Sequence, residues 1–223
     1  MKKQIFGIAA ALALMLTAGA NSAKADIILQ LTQDNCTGGC NPTPGTSMGT
    51  VTLHTVATGN VLVTIALVSP LKFVNTGLQD VIDFNLTGGP TISVDGLTNA
   101  NFHLNSTTAG SNHFDGFGTF QYSLGLLAAL GSGAGSQQPS PLSFNVHSAG
   151  ITETSFSRNA TGWYFGVDVI NTTTGRTGPI GTGSGGTLTT EGGQVPEPSS
   201  IILLGTIFVG VTTLRRRKAQ RSV

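Results

Sequence analysis

Catalysis by side chains needs titratable groups in pairs, and this chain offers three candidate sets. They are Asp80 and Asp83 in an Asp-x-x-Asp spacing, His113 with Asp115 inside Asn112-His113-Phe114-Asp115-Gly116, and Asp168 in the run from Trp163 to Ile170. Carboxylates poised across a cleft could serve as general acid and base, and a nucleophile beside a base could attack an ester or glycoside. Each set has a plainer reading. Asp80-x-x-Asp83 sits at a strand entry, where acids usually solvate a turn, and Asp115-Gly116 is turn chemistry ahead of a strand. The chain has no His-Glu-x-x-His pair and no phosphate-binding glycine-rich loop. No catalytic residue is assigned, and the expectation is a protein that is not an enzyme.

Binding chemistry is the better alternative. Trp163, Tyr164, Tyr122 and His103 could form an aromatic face for sugar rings, with Trp163 and Tyr122 as the expected sugar platform. Trp163 and Tyr164 are adjacent, so a strand would turn only one of them outward. Asp95, Asn99, Asn101 and the Asp80/Asp83 pair supply oxygen atoms in or near loops, which keeps calcium open as a cofactor. Their spacing matches no defined calcium loop, and no metal ligand is assigned.

The two cysteines lie in Cys36-Thr37-Gly38-Gly39-Cys40. An even count in an oxidising exterior favours a disulfide across that turn, worth roughly 2 kcal/mol for so short a loop. Half of a metal site is the alternative, but there is no second cysteine pair, and His54 is the nearest imidazole in sequence. Asn-x-Ser/Thr sequences occur at Asn35, Asn85, Asn105, Asn159 and Asn171; composition accounts for them, and glycosylation is not assumed.

The elements that must position these residues read as short strands. Alternation marks Asp26–Thr32, Gly49–His54, Val81–Leu86, Thr91–Val94, Phe117–Leu124 and Pro141–Val146. Val61–Val68 and Trp163–Ile170 are richer in β-branched residues, and Lys72–Val74 is a short edge-like piece. Gly59-Asn60 favours a hairpin, and Thr87-Gly88-Gly89-Pro90 a turn. Leu126–Gly135 is a linker with room for one helical turn, and Gly175–Gly193 is rich in Gly, Thr and Ser and reads as a stalk. The fold class is all-β, a β-sandwich of jelly-roll-like arrangement, with a barrel as runner-up. Residues 26–194 hold three bases against nine acids, a net of −6, which argues against a nucleic-acid partner.

Both ends carry targeting patterns. Lys2 and Lys3 precede an apolar run from Ile5 to Leu16, and small residues follow at Ala18-Gly19-Ala20 and at Ala23-Lys24-Ala25. Residues 1–25 are therefore expected to be a signal peptide read by Sec export machinery, with Ala23 and Ala25 marking the cleavage site. At the other end Val195, Pro196, Glu197 and Pro198 lead into an apolar stretch from Ser199 to Leu214, followed by Arg215, Arg216, Arg217, Lys218 and Arg221. As a helix that stretch would reach roughly 24 Å at 1.5 Å per residue, enough to span if the arginines snorkel. The basic cluster should then stay cytoplasmic.

This three-part tail resembles the PEP-CTERM sorting signal of Gram-negative bacteria. The same kind of tail is also described as an ice-binding-protein C-terminal domain, a label that carries no evidence of ice binding. The resemblance implies recognition by an exosortase-type enzyme at the inner membrane, transient residence there, and delivery to the cell surface or exterior beside exopolysaccharide and biofilm matrix. In the body, Asp34–Cys40, Lys72–Gly77, Asp115–Phe120 and Gly162–Ile170 are similar to small exported PEP-CTERM proteins and add no chemistry. The expected organisation is a signal peptide over 1–25, a sandwich over 26–174, a stalk over 175–194 and a sorting tail over 195–223. The sorting motif is Val195 to Pro198 with Arg215, Arg216 and Arg217. A plain single-span anchor is the alternative reading of the tail.

Overall fold

Alternating apolar residues produce the strands that dominate a computed structural model, which describes residues 26–77, 80–182 and 189–190. The chain is all-β, a sheet-rich barrel- or sandwich-like fold. Its strands are β1 (Ile27–Asp34), β2 (Gly49–Ala57), β3 (Asn60–Leu67), β4 (Leu71–Phe73), β5 (Asp80–Leu86), β6 (Ser93–Asp95), β7 (Phe102–Leu104) and β8 (Asn112–Phe114). They continue as β9 (Gly118–Phe120), β10 (Tyr122–Leu126), β11 (Leu142–His147), β12 (Phe156–Ser157), β13 (Phe165–Asn171), β14 (Thr177–Thr182) and β15 (Thr189–Thr190). Helical structure among the described residues is confined to short 3-10 turns, two of them at Ala128–Leu130 and Gly133–Ser136 in the expected linker. No helix among these residues is long and apolar enough to cross a membrane. The expected signal peptide, membrane span and basic cluster lie outside them.

One hydrogen-bonded path runs β6-β11-β3-β2-β1-β14-β13-β5-β10-β7, and every pairing in it is antiparallel. Strand β1 divides the path into two halves. Its first residues pair with β2 (Ile27 with Leu53, Leu29 with Val51). Its last residues pair with β14 (Leu31 with Thr182, Asp34 with Ile180), with an irregular register between Leu31 and Gln33. Such a strand turns the corner between sheets. The first sheet is β6-β11-β3-β2-β1, and the second is β14-β13-β5-β10-β7.

Between the two sheets lies a single apolar cluster. It takes Ile27, Val51, Leu53, Val63, Ile65 and Phe144 from the first, and Ile82, Phe84, Tyr122, Leu124, Phe165, Val167 and Ile180 from the second. Phe84 is its aromatic hub, stacked with Tyr122 at 5.5 Å and with Phe165 at 5.8 Å between centroids.

The outer faces differ. On the first sheet, β2 and β11 alternate buried and half-buried positions, so one side meets water. On the second, β10 and β13 are buried at every residue. What covers that second face is a small aromatic layer of Phe114, Phe117 and Phe120 from the β8–β9 hairpin, packed with Trp163.

Four expectations need correction. The stalk does not begin at Gly175, because Thr177–Thr182 is β14, a central strand between β1 and β13. Its glycines are required by close packing: a Cβ on Gly181 would fall 2.2 Å from the Phe117 ring, and one on Gly178 would fall 2.7 Å from the Cys36 Cα. Trp163 and Tyr164 precede β13 instead of opening it. The stretch Phe117–Leu124 splits into two strands of different sheets, β9 and β10. The β2–β3 hairpin forms, but its turn is Thr58-Gly59, one residue before the expected Gly59-Asn60, with Gly59 at a positive φ of 90° and Asn60 opening β3.

Candidate functional site

On β5, Ile82 and Phe84 belong to the core, so Asp83 between them faces the other side. A bulge then places a second acid on that side. Ile82 pairs with Leu124, while Asp80, two residues back, pairs with the next residue on β10, Gly125. The extra residue lets Val81 and Ile82 both enter the core cluster, and Asp80 and Asp83 emerge on one face. On the neighbouring strand Asp83 is paired with Gly166. Asp168, two residues on along β13, shares that face and is buried. Three carboxylates thus gather on adjacent strands beneath the aromatic layer.

Their electrostatics follow from burial. Asp83 is 0% exposed, and neither of its carboxylate oxygens has a hydrogen-bond partner among the described residues. Burial, followed by the charges of Asp80 and Asp168, pushes its pKa from 3.8 up to about 9. Asp168 rises to about 7, chiefly through burial, although hydrogen bonds from Thr76 oppose the shift; Asp115 and Asp80 add to it. Asp80 is held by the Asn105 amide at 2.7 Å, and that amide also donates to the Ser123 hydroxyl at 2.9 Å. Gly166 has no side chain to offer Asp83, and the Phe114 ring occupies the space above it, where a Cβ would come within 2.6 Å.

A polar cleft of about 340 Å³ opens beside this row, lined by Asn35, Thr37, Thr76, Asp115 and Pro179 among others. Thr76 connects the two, because it lines the cleft and donates its hydroxyl to Asp168. Chemically, a buried carboxyl without a donor must hold a proton or meet a cation. Turn solvation, the plainer reading of Asp80-x-x-Asp83, is therefore overturned for Asp83. The signal in the sequence was the apolar flanks: Val81, Ile82 and Phe84 enclose an acid with no base nearby in the chain.

The other expected site residues are dispersed. Tyr122 is fully buried and donates its hydroxyl to the Pro90 carbonyl. Trp163 packs edge-on to Phe117 at 5.1 Å, in a different cluster from Tyr122. Burial of Tyr122 therefore removes the paired sugar platform, while Trp163 stays partly exposed. Tyr164 lies under the Arg158 guanidinium at 5.2 Å. Across Gly125 from Asp80 stands His103, whose Nδ1 is buried without a hydrogen-bond partner among the described residues.

The loop reading of calcium also comes apart. Asp95 faces His147 at 3.0 Å and accepts from Asn145, which holds its carboxyl below the usual range, His147 first. Asn99 and Asn101 both donate to the Gln138 side-chain oxygen. His113 and Asp115 stand 3.6 Å apart on the surface.

Cys36 and Cys40 form the expected disulfide. Asp34 organises that turn by accepting from the backbone of Cys36, Cys40 and Asn41, and Arg176 donates to the Gly38 carbonyl. His54 is engaged elsewhere, with Asp26. Sequence reasoning overlooked a Gly-x-Ser-x-Gly spacing at Gly45–Gly49. It is no nucleophile elbow, since Ser47 lies in the loop entering β2 and donates to the Gly49 carbonyl at 2.6 Å. Two of the Asn-x-Thr sequences are turn devices: Asn159 and Asn171 are buried and accept from the backbone of Thr161 and Thr173. Ala23, Ala25, the motif Val195 to Pro198 and Arg215 to Arg217 lie outside the described residues.

Comparison with known proteins adds no relative: no family model matches the chain, and no curated protein or solved structure matches it.

Proposed function

We propose that this chain is an exported, non-enzymatic protein of the cell surface or extracellular matrix. Sec machinery would export it through the signal peptide at residues 1–25, and an exosortase-type enzyme would sort it by the tail at residues 195–223. The observation that carries the reading is the order of parts. An apolar leader with small-residue cleavage patterns and the Val195-to-Arg217 tail flank an all-β body with one disulfide-clipped turn. The body is a displayed sandwich of jelly-roll-like arrangement, its partner is exopolysaccharide matrix, and its stay in the inner membrane is transient.

Fractionation of cells expressing the full gene, with intact-mass measurement, tests this. The expected product lies outside the inner membrane, starts near Asp26 and lacks residues beyond the Pro-Glu-Pro motif. An intact tail found only in inner-membrane fractions would make the protein a single-span anchored one instead.

A further inference from the structure

We propose that Asp80, Asp83 and Asp168 bind one calcium ion on the outer face of the second sheet, independently of how the protein is sorted. The site is more than an acidic patch, because its middle member is a wholly buried carboxylate with neither oxygen hydrogen-bonded among the described residues. The β5 bulge turns Asp80 onto the same face, and β13 brings Asp168 beside it. Among the described residues, no Lys or Arg side chain forms an ion pair with Asp80, Asp83 or Asp168.

The donor chemistry selects the ion. All three ligands are carboxylates, which suit a hard cation rather than a thiolate- or imidazole-seeking metal. Asp83 brings both of its oxygens, and Asp80 uses one on Asn105 and keeps the other. Among the described residues, the group of three ligand atoms already gathered within 4.8 Å is Asp34, Cys36 and Cys40, which is the disulfide turn. The three aspartates must therefore draw together on binding, an adjustment that calcium's irregular coordination tolerates better than magnesium's strict octahedron. Thr76, shared between the cleft and Asp168, marks the approach.

The test uses the full chain, purified in mild detergent and stripped with chelator, then titrated with calcium chloride in a calorimeter at pH 8. The expected result is one ion per chain and a melting midpoint raised by about 5–10 °C at one hundred times Kd. Asp83→Asn and Asp168→Asn should each weaken binding at least about tenfold, a loss of one buried charged ligand, while Asp95→Asn leaves it unchanged. If Asp83→Asn fails to fold by circular dichroism, Asp80→Asn takes its place with the same expectation. No saturable heat at millimolar calcium, or full affinity in the folded Asp83 or Asp80 variant, would overturn the proposal and leave Asp83 a buried protonated acid.

Discussion

In the first sheet the outer positions of β2 and β11 are half-exposed Thr, Ser, Asn and His, whereas in the second every residue of β10 and β13 is buried. Thr64 and Ser143 show the first solution, facing water and bonding each other at 2.9 Å across β3 and β11. A strand covered on both sides usually reads as a continuous apolar run. Here β13 reads Phe-Gly-Val-Asp-Val-Ile-Asn and β5 reads Asp-Val-Ile-Asp-Phe-Asn-Leu. Glycines under the aromatic rings and carboxylates beside them fill the second outer face. The lesson is that the half-solvated sheet satisfies its outer polar groups with water and with one another, while the doubly covered one buries carboxyl groups, Asp83 among them without a donor.

The largest test of this contrast is pH. Asp83 and Asp168 have folded-state pKa values above the ordinary 3.8, so the folded state binds more protons than the unfolded one between those values. Their contribution to stability is complete below about pH 4, falls as pH rises through about 7 for both acids and on to about 9 for Asp83, and is lost above that. Without divalent cations, urea unfolding should show a loss of several kcal/mol from pH 5 to pH 8, of which Asp83→Asn removes the larger part and leaves that of Asp168. Stability that holds level across that range would break the comparison.

A smaller effect probes the aromatic cover. Gly181→Ala places a methyl against the Phe117 ring, and overpacking there should cost about 1–3 kcal/mol in the same measurement. The smallest lies on the first sheet. Thr52→Ala, at a half-exposed outer position of β2, should change stability by no more than about 0.5 kcal/mol and leave the pH profile untouched.

The same contrast explains which parts of the molecule the sequence revealed. Gly49–His54 and Pro141–Val146 alternate because one face is wet, and they appear as β2 and β11, while the β-branched run Val61–Val68 appears as β3. Cys36 and Cys40 could be paired because only two cysteines exist. Strand β14 was hidden because Gly178 and Gly181 are there for close approach, and glycine-rich composition looks the same in a linker. The carboxylate row was hidden for another reason. A spacing of three puts Asp80 and Asp83 on opposite faces of a regular strand, and only the bulge at Val81, set by pairing with β10, brings them together. Tyr122 and Trp163 misled because aromatic residues in so small a set serve packing first.

Strand β1 also sets an order of events. Its last residues find their partners in β14, with Leu31 opposite Thr182, some 151 positions later in the chain. A chain emerging amino end first would therefore carry one side of β1 unzipped until nearly the whole body had appeared, and such distant pairing is slow. On the proposed export route, that delay would keep the polypeptide threadable through a narrow channel. The seam between the sheets would close only on the far side.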